Sequence, residues 1–400
     1  MNSTRRHLLR ALAAAPLAPV LATAATPAAG RLAQAQSQSQ AQAHSQAQGS
    51  RPASPASGVA ERLVVISLDG VRTQEMFGGL DPALLQAQYP KQPVAEHRLY
   101  TQFWRPTREA RREALMPFFW TTLMREHGSI VGDREAGSAM RLGNTLRFSY
   151  PGYAELMLGV PHDDRITSND NVRYPYDTVL QFLRRQLGAT REQVACFGSW
   201  DVFNSIVASR DGEIYVNAGF ARYDVPDEGL RRLNAAQFDT VPGWDGARYD
   251  TYTMQFAMDH LARHRPKVLW IGLDESDDWA HQRHYARLID YLHRFDGWLA
   301  ALWQWLQGQD EYRGRTALAL VTDHGRGDTV ADWNDHGKDV ESAQHVWAAF
   351  AAPQWPARGV RKAGHAPVSQ SQIAATLASL LGQDWVKAAP DAGTALTAPA

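Results

Sequence analysis

Three continuous runs of strand length, each leading into acidic residues, dominate the pattern of this chain. Leu63-Val64-Val65-Ile66-Ser67-Leu68 leads into Asp69-Gly70, Val268-Leu269-Trp270-Ile271-Gly272-Leu273 into Asp274, Asp277 and Asp278, and Thr316-Ala317-Leu318-Ala319-Leu320-Val321 into Asp323-His324. Runs without polar alternation are the mark of strands buried on both faces of a parallel sheet. Val194 to Phe197 and Val346 to Ala351 repeat the format. Helical patterns fall between them, at 151–158, 177–187, 251–264, 281–307 and 370–381. Strands separated by helices predict an α/β fold, a mostly parallel central sheet with helices on both faces.

Two segments read as elaborations inserted over the active-site edge of that sheet. Residues 88–143 are dense in aromatics and arginine, as in Phe103-Trp104-Arg105-Pro106, and residues 209–250 hold short turn-rich pieces. Aromatic planes there could stack a ring of a ligand, or the segment is an aromatic-rich packed subdomain. The Trp-rich stretch Trp298 to Leu306 reads as helix packing.

The two ends read differently. Residues 1–30 carry Arg5-Arg6 ahead of a soft Ala/Pro-rich apolar run, which resembles a twin-arginine export signal, with Ala22-Thr23-Ala24 as a cleavage site. An ordinary secretory signal is the alternative. Either predicts a periplasmic or secreted protein, and the first makes the twin-arginine export machinery a partner. Residues 31–60, with their Ala/Gln/Ser alternation, have almost nothing to bury and read as a linker. The domain is expected over 61–385, with 386–400 as a tail. No later stretch approaches the roughly 18 apolar residues of a membrane span.

Composition narrows the picture. With 400 residues, 44% hydrophobic and 21% charged, the chain can bury a sizeable core. The first fifty residues hold four arginines and no acid, which leaves 37 basic against 42 acidic residues. That balance carries no footprint for nucleic acid. The single cysteine, Cys196, excludes an intrachain disulfide and a Cys-rich zinc module, and reads as a packed thiol.

In open α/β sheets ligands bind beyond the carboxyl ends of the strands, so Asp69, Asp277 and Asp323 converge on one edge. Asp277 and His281 lie four apart, on one face of a helix. Asp323-His324-Gly325 is followed by His336, and Ser149 precedes Pro151-Gly152. Each element alone is weak, because an aspartate after a strand is often only a cap or turn former. Together they offer carboxylate and imidazole ligands for two divalent ions and a hydroxyl nucleophile, the inventory of a two-metal hydrolase.

Taken in order, these residues resemble the alkaline phosphatase superfamily, in particular its phosphodiesterase, nucleotide-pyrophosphatase and phosphoglyceromutase-like branches. The likeness covers 61–382, including Leu68-Asp69-Gly70-Val71-Arg72, Phe148-Ser149-Tyr150-Pro151-Gly152 and Gln372 to Ala378. It implies one metal site of Asp69, Asp323 and His324 with Ser149 bridging, and another of Asp277, His281 and His336. Two zinc ions are implied, with manganese as the alternative. It further implies attack by Ser149 on a small phosphoester substrate through a phosphoserine intermediate, at a helix N-terminus suited to anions. Asn169 and Asn171 lie where relatives place an asparagine against a phosphoryl oxygen; Asn171 is the candidate, with a polar turn as the alternative. Ser149-Tyr150-Pro151-Gly152-Tyr153 lacks the arginine of a formylglycine sulfatase motif. No phosphate-clamping arginine is assigned, and Arg72, Arg147 and Arg173 read as surface or structural, which leans toward diesters. A phosphoglyceromutase-like phosphotransferase and a non-catalytic metal-binding protein are the alternatives.

Overall fold

Strand β1 (Arg62–Leu68) divides its side chains between two hydrophobic clusters. Leu63 and Val65 join one, Val64, Ile66 and Leu68 the other, as the two-residue period of a strand covered on both faces requires. The computed structural model describes residues 59–362 and 367–398, so the signal and linker readings for 1–58 lie outside the described residues.

The remaining strands are β2 (Gly128–Val131), β3 (Met140–Arg141), β4 (Val194–Gly198), β5 (Tyr215–Ala218), β6 (Val268–Leu273), β7 (Thr316–Val321), β8 (His345–Val346), β9 (Ala348–Ala351), β10 (Gly359–Val360) and β11 (Val368–Ser369). Eight of them form one sheet in the order β10-β2-β9-β7-β1-β6-β4-β5. All neighbours run parallel except β9, which is antiparallel to β2 and β7. A small sheet, β11-β3-β8, stands apart.

Helices α1 (Thr73–Gly78), α2 (Ser149–Leu158), α3 (Val179–Gln186), α4 (Asp250–His264), α5 (Glu275–His281), α6 (Tyr285–Gly308) and α7 (Ile373–Leu380) do most of the covering. Side chains of α2, α3 and α7 fill one cluster, those of α1, α4 and α6 the other. On α6 the buried Leu288, Leu292, Phe295, Leu299, Leu302 and Leu306 recur every three or four residues. Each such side chain stabilises the fold by about 1.5–3 kcal/mol when fully buried. Trp298, Trp303 and Trp305 pack partly buried against the same cluster. Cys196 is buried in β4, and burial pushes its thiol pKa up.

The mostly parallel α/β sheet matches the sequence expectation, and four local features depart from it. The run Val346 to Ala351 is interrupted at Trp347, whose indole Nε1 reaches across to donate to the Val71 carbonyl at 2.9 Å. The helix expected over 281–307 begins at Tyr285, because the preceding helix closes at His281 and Arg283 sits at φ 57°, with the Arg283 and His284 N–H groups bonding back to Ala280 and Trp279. Residues 88–143 supply β2 to the central sheet, a four-residue strand between Gly128 and Gly132 too short to stand out as a run. Their aromatics pack inward, with Phe103, Phe119 and Trp120 buried and Arg112 3.9 Å over the Trp120 ring. Finally, the expected tail from 386 is packed: Ala392 and Leu396 are buried, Gly393 N donates to Gly159 O at 2.9 Å and Leu396 N to Thr376 Oγ1 at 2.9 Å. Among the described residues no helix is long and apolar enough to cross a membrane.

Candidate metal centre

Register brings the acidic strand ends together. Leu68 pairs with Leu273 and Ser67 with Val321, so β1, β6 and β7 finish side by side. Asp69 and Asp323 therefore emerge as neighbours, and α5, which begins directly after β6, carries Asp277 and His281 over the same edge. The sharp exit after Asp69 needs Gly70, at φ 60°, whose N–H donates to Asp323 Oδ1 at 3.0 Å.

Two groups of metal-ligating atoms result: Asp69, Asp323 and His324, all buried, and Asp277, His281 and His336, which run from buried Asp277 to exposed His281. Each group could hold a metal ion, its ligand atoms lying within 4.8 Å of one another. His324 Nε2 lies 3.3 Å from Asp69 Oδ1 and 3.5 Å from Asp323 Oδ2. His281 Nε2 is 2.9 Å from Asp277 Oδ2 and 2.9 Å from His336 Nε2. The groups adjoin, with the His324 and His336 rings stacked at 4.2 Å.

Neighbouring carbonyls set the tautomers. His324 Nδ1 faces Gly325 O at 2.8 Å and His336 Nδ1 faces Arg147 O at 3.3 Å. A carbonyl only accepts, so each Nδ1 carries a proton and each Nε2 is turned to the centre, the usual support for a metal-binding imidazole.

The electrostatics call for cations. Asp69 Oδ2 and Asp323 Oδ2 are buried with no hydrogen-bond partner, a costly state for carboxylate oxygens. Burial and the charge of Asp69 push Asp323 up to about 8. Burial works against the charged form of His324, but Asp323 and Asp69 outweigh it and hold the imidazole up at about 9. Burial and His324 hold both His281 and His336 down. Oxygen and nitrogen donors in sets of three, with orphaned carboxylate oxygens aimed among them, fit divalent ions of the zinc or manganese type.

Ser149 opens α2, and its Oγ lies 3.4 Å from Asp69 Oδ1 and 3.3 Å from His324 Nε2. The approach depends on Gly152, where a Cβ would stand 2.4 Å from the Asp323 carbonyl. Of the two asparagines past the serine, Asn171 accepts from Ser205 Oγ at 2.5 Å. Asn169 instead accepts from Tyr150 N at 2.9 Å, beside Ser149. Asn169 is thus bonded to the start of α2, while the Asn171 side chain is engaged by Ser205.

Several supporting residues stand outside the ligand set expected from the sequence. Arg326 is buried between the carbonyls of Gly70 (3.2 Å), Asn334 and Asp277 (3.3 Å), and its guanidinium pairs with the Asp277 carboxylate. Burial draws its pKa down to about 10. Its adjacency to Asp323-His324-Gly325 was the only available hint. Gln370 clamps Gly152 O at 3.0 Å and Asp323 O at 2.9 Å. Arg72 is structural rather than superficial, buried against Glu75 and donating to Gly327 O at 2.8 Å. Arg173 donates to Ala208 O at 2.6 Å and pairs with Asp211.

No family model and no curated protein sequence matches the chain. Solved structures do. The lipoteichoic acid synthase LtaP from Listeria monocytogenes aligns with a TM-score of 0.50 at 10% identity, over 81% of this chain and 72% of that one. The structure of Ps i-CgsB aligns with a TM-score of 0.50 at 13% identity, over 84% and 75%. The chain shares the overall fold of these two proteins. An alkaline phosphatase superfamily protein from Vibrio parahaemolyticus also matches, with a TM-score of 0.47 at 12% identity over 83% and 68%. Within this fold, both ligand groups lie at the carboxyl edge of the sheet, beside Ser149.

Proposed function

We propose that the chain is an exported hydrolase that cleaves phosphoester bonds with Ser149 as nucleophile. One observation carries the reading: a hydroxyl at a helix start stands within 3.4 Å of Asp69 and His324, beside a second three-residue ligand group. Asp69, Asp323 and His324 would hold one divalent cation and Asp277, His281 and His336 the other, zinc or manganese. When bound, the ions would lower the pKa of the serine hydroxyl and offset the charge of the phosphoryl oxygens.

The chain's own groups account for the rest. Ser149 Oγ bonds to phosphorus while the ester oxygen departs, and water then cleaves the phosphoserine ester, releasing phosphate or a monoester. The N-terminus of α2 would favour the anion, and Asn169, whose Oδ1 accepts from Tyr150 N, would donate its amide N–H to a phosphoryl oxygen. Arg72 and Arg173 are committed to protein partners, which favours a singly charged diester over a monoester needing a clamp. The Arg5-Arg6 leader supports export and a periplasmic or secreted location.

The test is metal content together with hydrolysis of p-nitrophenyl phosphate and bis-p-nitrophenyl phosphate. About two zinc or manganese ions per chain with turnover of the diester is expected. Bound metal with neither ester cleaved would favour phosphotransfer, and no metal uptake from supplied zinc or manganese would overturn the reading.

A further inference from the structure

A basic cluster adjoins the metal centre that hydrolysis itself does not use. β3 and β8 pair antiparallel with Arg141 directly opposite His345, which puts the two side chains on one face, about 5 Å apart at Cβ. Met140 is buried and Arg141 exposed, so that face looks to solvent. β8 is seated against the centre: Gly325, next to His324, donates to Ala343 O at 2.8 Å, and a Cβ on it would stand 2.4 Å from the His345 carbonyl.

Arg147 joins from the segment before Ser149. Its carbonyl accepts from Gly337 N at 2.9 Å, and its Nη1 donates to Lys338 O and Val340 O, both at 3.2 Å. Its Nε is buried without a partner, as is His345 Nδ1. Arg134, just past β2, comes from the other side, with Nη2 4.0 Å from Asp328 Oδ2. Burial, then Arg134, Arg141 and Arg147, hold the His345 imidazole down at about 4 against the opposing Asp328. Asp328 acts on the imidazole in the opposite sense; Asp339 and Glu341 are exposed in the adjoining segment.

Arg134, Arg141 and Arg147 all act on the His345 imidazole, and like charges gathered there repel one another until an anion joins them. Guanidinium forks suit carboxylate, phosphate and sulfate. We propose that Arg141, Arg134 and Arg147 form a second anion subsite, so that the substrate is an ester carrying a further anionic group beyond the one being cleaved. This rests on the phosphoester reading above and narrows it to a substrate class.

Binding of phosphonate pairs to the zinc-loaded full chain, measured by calorimetry, tests it without turnover. Phosphonoacetate is compared with methylphosphonate, and 4-phosphonobenzoate with phenylphosphonate, giving a short and a long carboxylate arm. At least one carboxylate-bearing probe is expected to bind about tenfold tighter than its parent, the scale of a charge-assisted contact. Arg141→Ala should remove that advantage and leave the parent's Kd unchanged, while Arg141→Lys keeps part of it; exposure of Arg141 makes loss of folding a poor explanation, which thermal melting checks. Equal affinities within both pairs, or an advantage that survives Arg141→Ala combined with Arg134→Ala, overturns the subsite while the phosphoester reading stands. Failure of all four phosphonates to bind overturns that reading, and the subsite with it.

Discussion

Replacing Gly70 by alanine should damage the centre through one added carbon. The backbone there is left-handed, φ 60°, which costs an L-residue with a side chain about 1–2 kcal/mol. The new Cβ would stand 2.7 Å from Asp277 Oδ1 and 2.8 and 2.9 Å from Arg326 Nε and Nη2. Arg326 has no room to retreat, being buried and pinned to the carbonyls of Gly70, Asn334 and Asp277. Overpacking of this kind typically adds about 1–3 kcal/mol, so the total expected loss is about 2–5 kcal/mol. The movable group is the Asp277 carboxylate, and displacing it should weaken the group formed with His281 and His336 before the buried group. Urea unfolding of the metal-free protein measures the first effect, and metal per chain after equilibration with limiting zinc measures the second. An unchanged unfolding midpoint together with unchanged zinc content would refute the packing argument at this turn.

Three further outcomes follow from named contacts. Ser149→Ala should abolish turnover while leaving thermal stability and metal content near wild type, and wild-type-like turnover would remove Ser149 as nucleophile. Glu155 is buried on α2 and accepts from Gly143 N, Asn144 N, Asn144 Nδ2 and Ser371 Oγ at 2.6–2.9 Å, tying the segment before Ser149 to the helix after it. Glu155→Gln leaves one backbone donor unmatched and should cost about 1–3 kcal/mol, with denaturant midpoints equal to wild type counting against it. Asp296 accepts from Phe118 N and Phe119 N, both at 2.8 Å, and burial holds its pKa up at about 6, against 3.8 in the unfolded chain. The folded state thus keeps its proton longer than the unfolded one. The contribution of Asp296 is fully present below the unfolded pKa and declines as pH rises through about 6, on the order of 2–3 kcal/mol in all. Asp296→Asn should flatten that decline, and parallel stability–pH curves for the two proteins would contradict it.

What the linear sequence determined was whatever depends on short-range pattern. Continuous apolar runs at Leu63–Leu68, Val268–Leu273 and Thr316–Val321 can be buried only on both faces, and each became a strand of the parallel sheet. An acidic residue after such a strand has one edge to emerge on, so Asp69, Asp323, His324 and the pair Asp277 and His281 were legible before any coordinate. Tertiary structure decided what depends on partners distant in the chain. Asn169 is bonded to the start of α2, while the Asn171 side chain is engaged by Ser205, thirty-four residues further on. The break at Trp347 follows from a hydrogen bond to Val71, and β2 exists because β9 and β10 flank it rather than because Gly128–Val131 favours a strand. Arg326 looks like any loop arginine in sequence, and only the closure of its loop over Asp277 buries it. The facing of Arg141 and His345 across two-residue strands is likewise set by pairing alone. Local pattern encodes which surfaces must leave water; which polar groups then meet is settled by register and loop closure, where the free energy lies in contacts between residues far apart in the chain.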